Sequence, residues 1–137
     1  MSIDVEALVV AFLRGQQEVT DIAGDRVFTD LPNQRTYPLV RVQRTGGRSI
    51  YKSWLESADI TLDAYGGTHK LAVQLASACI STMAASMVSA THAEGVITKV
   101  TIADLAYTPE PDSPDDAGHA RPRCSVTATV TAHPLWS

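Results

Sequence analysis

Basic charge is scarce in this chain: 11 Lys and Arg stand against 15 Asp and Glu, a net charge of -4 with histidines neutral. That balance argues against a general nucleic-acid binder, whose nonspecific affinity rests on many cations neutralising phosphates. It leaves room for a protein past which DNA slides without sticking. Cysteine is scarcer still. Cys79 and Cys124 have no CxxC spacing and fall in an apolar helical stretch and an alternating strand, so they read as small buried hydrophobes and not as a metal or redox framework. The N-terminus, MSIDVEALVV, carries acidic residues where a secretory leader needs basic ones, and no small-residue cleavage site follows. The longest apolar helical stretch, Leu71 to Val88, follows Lys70 and contains Gln74 and several serines, too broken to cross ~30 Å of hydrocarbon. These absences point to a protein made and kept in a reducing cytoplasm, with no membrane contact.

Catalytic patterns are missing too. His69, His92, His119 and His133 are not spaced from another His, Cys or carboxylate as a metal site requires. His92-Ala93-Glu94 matches the H-x-E of zinc deaminases by letter, but no P-C-x-x-C follows to complete the ligands. The glycine pairs Gly46-Gly47 and Gly66-Gly67 extend to neither G-x-G-x-x-G nor a P-loop, and no G-x-S-x-G supports a serine nucleophile. Asp112, Asp115 and Asp116 are interrupted by proline and lack the glycine and terminal Glu of an EF-hand, so they read as a solvated acidic loop. No catalytic residue, cofactor or metal is expected, and the chain is not read as an enzyme.

What is present begins with Ser57 to Val88. Ala58, Ile60, Leu62 and Ala64 alternate with Asp59, Thr61, Asp63 and Tyr65, a strand with one buried face. Gly66-Gly67 punctuates, Thr68 is placed to cap a helix, and Leu71, Leu75, Cys79, Met83 and Met87 recur at one-turn spacing. The opposite side, Lys70, Gln74, Ser77, Ser81 and Ala85, starts polar and becomes small. This predicts a helix covered on two sides, one by the sheet and the other by the N-terminal helix or a neighbouring subunit.

Upstream, Ser2 is placed to cap a first helix whose stripe is Val5, Leu8, Val9, Phe12 and Leu13, with Asp4 and Glu6 at its positive end and Gly15 as its stop. Burying those five side chains contributes on the order of 10 kcal/mol before entropy is subtracted, so the helix is expected to dock. Glu18 to Ile22 reads as a short turn ended by Gly24, Val27-Phe28 as an edge strand, and Leu39 to Arg44 as a strand with Arg41 and Gln43 on its wet face. Thr45 to Glu56 has no clean period. Its two glycines suggest mobility, yet Ile50, Tyr51 and Trp54 are too apolar for an idle loop, so it is either a hairpin folding aromatics onto the core or a contact arm.

Downstream, Val96, Thr98, Val100 and Ile102 share a face while Leu105 and Tyr107 have the other parity, which places a bulge near Ala103-Asp104. Pro109 to Pro122 reads as a flexible acidic loop. Cys124, Val126, Ala128, Val130 and Ala132 then alternate cleanly with Ser125, Thr127, Thr129, Thr131 and His133. At 137 residues the chain is one α+β domain: a mixed, mainly antiparallel sheet of four to five strands with two helices on one face.

Several phrases carry a resemblance. The opening helix, then Val19-Thr20-Asp21-Ile22-Ala23-Gly24-Asp25-Arg26-Val27-Phe28, Pro32-Asn33-Gln34 and Tyr37-Pro38-Leu39-Val40-Arg41-Val42, resembles the opening of tail terminator (tail completion) proteins of long-tailed bacteriophages, the family related in fold to the lambda tail terminator. Asp59-Ile60-Thr61-Leu62-Asp63-Ala64-Tyr65-Gly66, the Ala-rich helix and two closing strands fit the same plan. The resemblance implies a structural virion protein, assembled in the host cytoplasm, that closes into a hexameric ring at the head-proximal end of the tail tube. Its partners would be copies of itself, the tube protein and a head-side connector or stopper, with DNA passing through the lumen without specific binding. Asp and Glu are then expected to outnumber Lys and Arg on the lumen wall. The aromatic, basic arm is the candidate subunit or tube interface: Arg44, Arg48, Ile50, Tyr51, Lys52 and Trp54. The alternatives are another head-tail neck component and a small cytoplasmic ligand-binding domain, the latter expected to hold a concave apolar pocket.

Overall fold

The computed structural model describes residues 4–30, 36–51, 55–86, 91–92, 95–109 and 121–133, with the backbone alone at 48–51, 86, 91 and 92. Helix α1 (Val5–Arg14) starts where the Asp4 carboxylate accepts the Ala7 N–H at 3.0 Å and stops at Gly15. Asp4 is therefore the cap, two residues after the expected Ser2, which lies outside the described residues. The predicted stripe Val5, Leu8, Val9, Phe12 and Leu13 is fully buried.

Gln17–Ala23 forms a second helix, α2, longer than the single turn expected, and Gly24 ends it at φ 60°, a conformation side chains resist. The strands follow as β1 (Val27–Phe28), β2 (Leu39–Tyr51) and β3 (Leu55–Tyr65), then helix α3 (His69–Ser86), β4 (Thr91–His92), β5 (Gly95–Tyr107) and β6 (Arg123–His133). Four long strands and two of only two residues make one sheet in the order β1-β2-β3-β6-β5-β4. Only β1 and β2 run parallel; every other pair is antiparallel.

All three helices contribute to one core on one face of that sheet. Ala58, Ile60, Leu62 and Ala64 of β3 meet Cys124, Val126, Ala128, Val130 and Ala132 of β6, and Val40, Val42 and Ile97 extend the layer on either side. Thr68 caps α3 by accepting the Leu71 N–H at 3.2 Å. Leu75, Cys79 and Met83 face inward as the spacing predicts, joined by Ala72 and Ala76, while Leu71 is half-buried and Met87 lies outside the described residues. The second cover over α3 is α2, not α1, with Val19 and Ala23 in the shared core. The stripe Lys70, Gln74, Ser77, Ser81 and Ala85 is exposed. Thr82 is the polar residue buried in α3, and its hydroxyl is satisfied by the carbonyls of Ala78 and Cys79 at 2.9 and 3.1 Å.

The bulge foreseen near Ala103-Asp104 is present between Ile102 and Asp104, after which Leu105 opposes Val126 and Tyr107 opposes Cys124 on the core side. A second shift, between Ile97 and Lys99, corrects the expected face: Ile97, and not Val96, shares the core side with Val100 and Ile102, while Val96 opposes His133.

Burial decides the chemistry of both cysteines. Loss of solvation pushes the Cys79 thiol from 9.0 up to about 12 and raises Cys124 in the same direction. A thiol reagent at pH 8 should label neither in the folded chain and both once denaturant opens it. Because only the unfolded chain ionises Cys79 between pH 9 and about 12, folding stability should fall with rising pH across that window, and Cys79→Ala should flatten the fall.

Candidate subunit interface

The arm proposed from sequence is the end of a paired hairpin. Strands β2 and β3 stay paired through Arg48 with Ser57, Ser49 with Glu56 and Tyr51 with Leu55, with register shifts after Arg44 and after Ser49. The two glycines do not loosen it. Gly47 sits at φ 113°, and a Cβ there would lie 2.2 Å from the Ser57 carbonyl oxygen, so glycine is what lets the strands approach. Lys52 and Trp54 lie outside the described residues, as do the side chains of Arg48, Ile50 and Tyr51.

Arg44 is held within its own chain. Its backbone N–H donates to Glu6 Oε2 at 2.8 Å, its Nε to the Gly46 carbonyl at 3.0 Å, and its Nη1 pairs with Glu56 Oε2 at 2.6 Å. Glu56 is 5% exposed on the helix-bearing side of the sheet, so this ion pair closes one end of the core. The residue therefore has an intrachain task that sequence did not reveal, because its partner Glu56 belongs to the neighbouring strand.

Both edges of the sheet are partly guarded. On the β2 side, the Val40 N–H is taken by the Arg26 carbonyl at 2.9 Å and the Arg44 N–H by Glu6. On the other side β4 reaches only Gly95 and Val96, which leaves β5 bare from Ile97 onward among the described residues. That edge carries two bulges and Lys99, and Asp104 Oδ1 takes the Leu105 N–H at 2.9 Å. Bulges and edge charges are how sheets avoid indiscriminate pairing.

Beside that edge lies an apolar corner. Val73, Leu105 and Tyr107 are the exposed large hydrophobics among the described residues, at 37%, 44% and 41%. Leu105 and Tyr107 share the core side of β5 beyond the cover of the helices. The Tyr107 ring stacks on His69 at 4.1 Å between centroids, and Val73 is one helical turn on from His69.

The helix-free face of the sheet is polar. Across it run Gln43, Thr61, Thr127 and Asp104 in one row and Arg41, Asp63 and Ser125 in the next. Asp63, only 7% exposed, accepts from the Ser125 hydroxyl at 2.7 Å, and Ser125 is 3.1 Å from the Thr108 hydroxyl. Tyr65 is covered on this side by Tyr37 and Arg123, with centroid distances of 6.2 and 5.9 Å, and Arg121 stacks on Tyr37 at 4.0 Å.

The concavity that stands out is an open groove of about 460 Å³ between α1 and the segment 27–30. Val10, Ala11 and Phe28 supply its apolar lining, and Asp4, Glu6 and Asp30 place three carboxylates against one guanidinium, that of Arg14, itself tied to the Val27 carbonyl at 2.7 Å. The pocket expected of a ligand-binding domain is apolar and concave; this one is an open trough rimmed by carboxylates. Among the described residues no group of three His, Cys, Asp or Glu is arranged to hold a metal, and no helix is long and apolar enough to cross a membrane.

No family model matches the chain, and no curated protein does. Among solved structures, a chain from the virion of a native gene transfer agent (GTA) particle has a similar fold, with a TM-score of 0.60 over 94% of both chains at 12% sequence identity.

Proposed function

We propose that the protein is a structural component of a phage-like virion, and within it a tail terminator: a subunit of a hexameric ring that caps the head-proximal end of the tail tube, ends its growth and presents the surface on which the head docks. The observation that carries this reading is the fold shared end to end with a gene transfer agent virion chain. A match over 94% of both chains leaves little of either fold unaccounted for. The absence of a catalytic pattern in the sequence, the acidic charge balance and the resemblance of the Val19 to Phe28 and Tyr37 to Val42 phrases to tail terminators support the finer assignment. The subunit's partners are further copies of itself, the tube protein and a head-side connector. DNA crosses the ring without specific contacts, since each phosphate held would retard its passage. The hairpin end, with Arg48, Ile50, Tyr51, Lys52 and Trp54 anchored at its base by Arg44, is the contact surface. A heterologous contact that closes a ring joins two unlike patches, so the hairpin needs a different receptor on the next subunit.

Particles assembled in a host lacking the protein test the assignment. Overgrown tubes or tails without heads are expected. Tails of normal length beside unjoined heads would move the protein to the head side of the neck, and intact infectious particles would remove it from the virion altogether.

A further inference from the structure

We infer that the groove between α1 and segment 27–30 receives the β2–β3 hairpin tip of a second copy, residues 48–54, so that successive subunits join head to tail. The inference rests on the ring reading above and supplies its missing receptor. Three features of the groove fit the tip. Its carboxylates, Asp4, Glu6 and Asp30, outnumber its single guanidinium, whereas the stretch from Gly46 to Leu55 holds Arg48 and Lys52 and no carboxylate. Opposite charge across a contact steers the encounter and fixes its register. Val10 and Phe28 give the groove an apolar floor, and the tip carries Ile50, Tyr51 and Trp54, residue types that anchor interfaces when seated in a pocket.

The groove cannot be filled by the tip of its own chain. Val27 and Phe28 pair with Val40 and Arg41, and Glu6 takes the Arg44 N–H, so the groove lies beside the start of β2. From Arg44, opposite Ile60, the strand stays paired with β3 through two register shifts to the Tyr51–Leu55 pair. At ~3.4 Å per residue the β3 stretch from Ile60 to Leu55 sets that last pair about 17 Å from Arg44. A hairpin locked in its ladder does not double back over that distance, so the occupant is another molecule's tip.

Tip and groove are unlike patches on one subunit, so the contact repeats head to tail, giving a ring when the rotation closes and a helix when it does not.

Disulfide trapping tests it, since both native cysteines are buried. Asp30→Cys and Lys52→Cys in one chain, oxidised at high concentration, should give an intermolecular ladder several-fold stronger than a control chain with Asp30→Cys and Thr127→Cys, whose second site lies on the open sheet face. Adding Ala11→Arg, an exposed helix position that fills the groove with bulk and positive charge, should return the ladder to control level. An Asp30–Lys52 ladder no stronger than the control, a bond formed within single chains, or a ladder indifferent to Ala11→Arg would overturn the proposal. Sedimentation of the parent chain and its position on labelled particles are read separately. Rings that form without the Asp30–Lys52 bond discard this contact alone, whereas a chain absent from the particle discards the functional reading.

Discussion

Gly66→Ala should cost about 3 kcal/mol and lower the melting temperature by roughly 10–15 °C, although it adds one methyl group. A Cβ at this position would lie 2.5 Å from the Ala72 nitrogen and 2.7 Å from the Thr68 carbonyl oxygen. Both atoms are backbone of the first turn of α3, and they are bonded to each other at 3.1 Å. Neither can yield as a flexible side chain would, so the turn must move as a unit, away from β3. Gly66 itself is fixed by donating its N–H to the Pro122 carbonyl at 2.9 Å. Lifting the start of α3 withdraws Ala72, Leu75 and Ala76 from the sheet together. Thermal unfolding followed by circular dichroism measures the effect, and Gly67→Ala is the internal control, because nothing lies within 4 Å of a Cβ there. Equal losses at the two positions would show that backbone freedom, and not close approach, sets the requirement.

That pair of glycines also marks how far sequence carries. The punctuation between β3 and α3 was legible because two glycines follow an alternating strand and precede a one-turn repeat. Which glycine matters was not legible, since the close approach is set by where the helix docks. The alternation of β6 and the parity break in β5 were readable for the same reason: burial of one face imposes period two, and an extra residue breaks it visibly. The shift between Ile97 and Lys99 escaped because Val96 and Ile97 are both apolar, and Val96 has the parity of Val100 and Ile102. The second cover of α3 was expected from α1 or a neighbouring subunit over the Lys70 to Ala85 stripe; that stripe is exposed, and the helix packed on α3 is α2, whose buried residues are only Val19 and Ala23.

The candidate site was legible in part. Aromatic and basic residues without a period marked the hairpin, while the groove that we pair with it combines α1 with a segment more than ten residues later, which no local pattern announces. Two glycines in Thr45 to Glu56 suggested mobility, yet Gly47 is there to let two strands meet. Glycine permits both, and only the packing around it distinguishes them.

Arg44→Ala should destabilise the fold by about 2 kcal/mol, less than the loss expected for a wholly buried pair because the arginine side chain is 30% exposed. The substitution strips a guanidinium from Glu56, whose side chain is 6% exposed. It leaves the Arg44 N–H bond to Glu6 intact, because that contact uses the backbone. The apolar pair Arg44→Met with Glu56→Leu should recover most of the loss, as replacing both partners of a buried pair removes the desolvation cost along with the attraction. The same chains separate fold from assembly. If Arg44 acts only by fixing the base of the hairpin, the doubly substituted chain regains both its melting temperature and its association, since Arg48 and Lys52 still charge the tip. A chain that regains stability but not association would show that the guanidinium also reaches a neighbour.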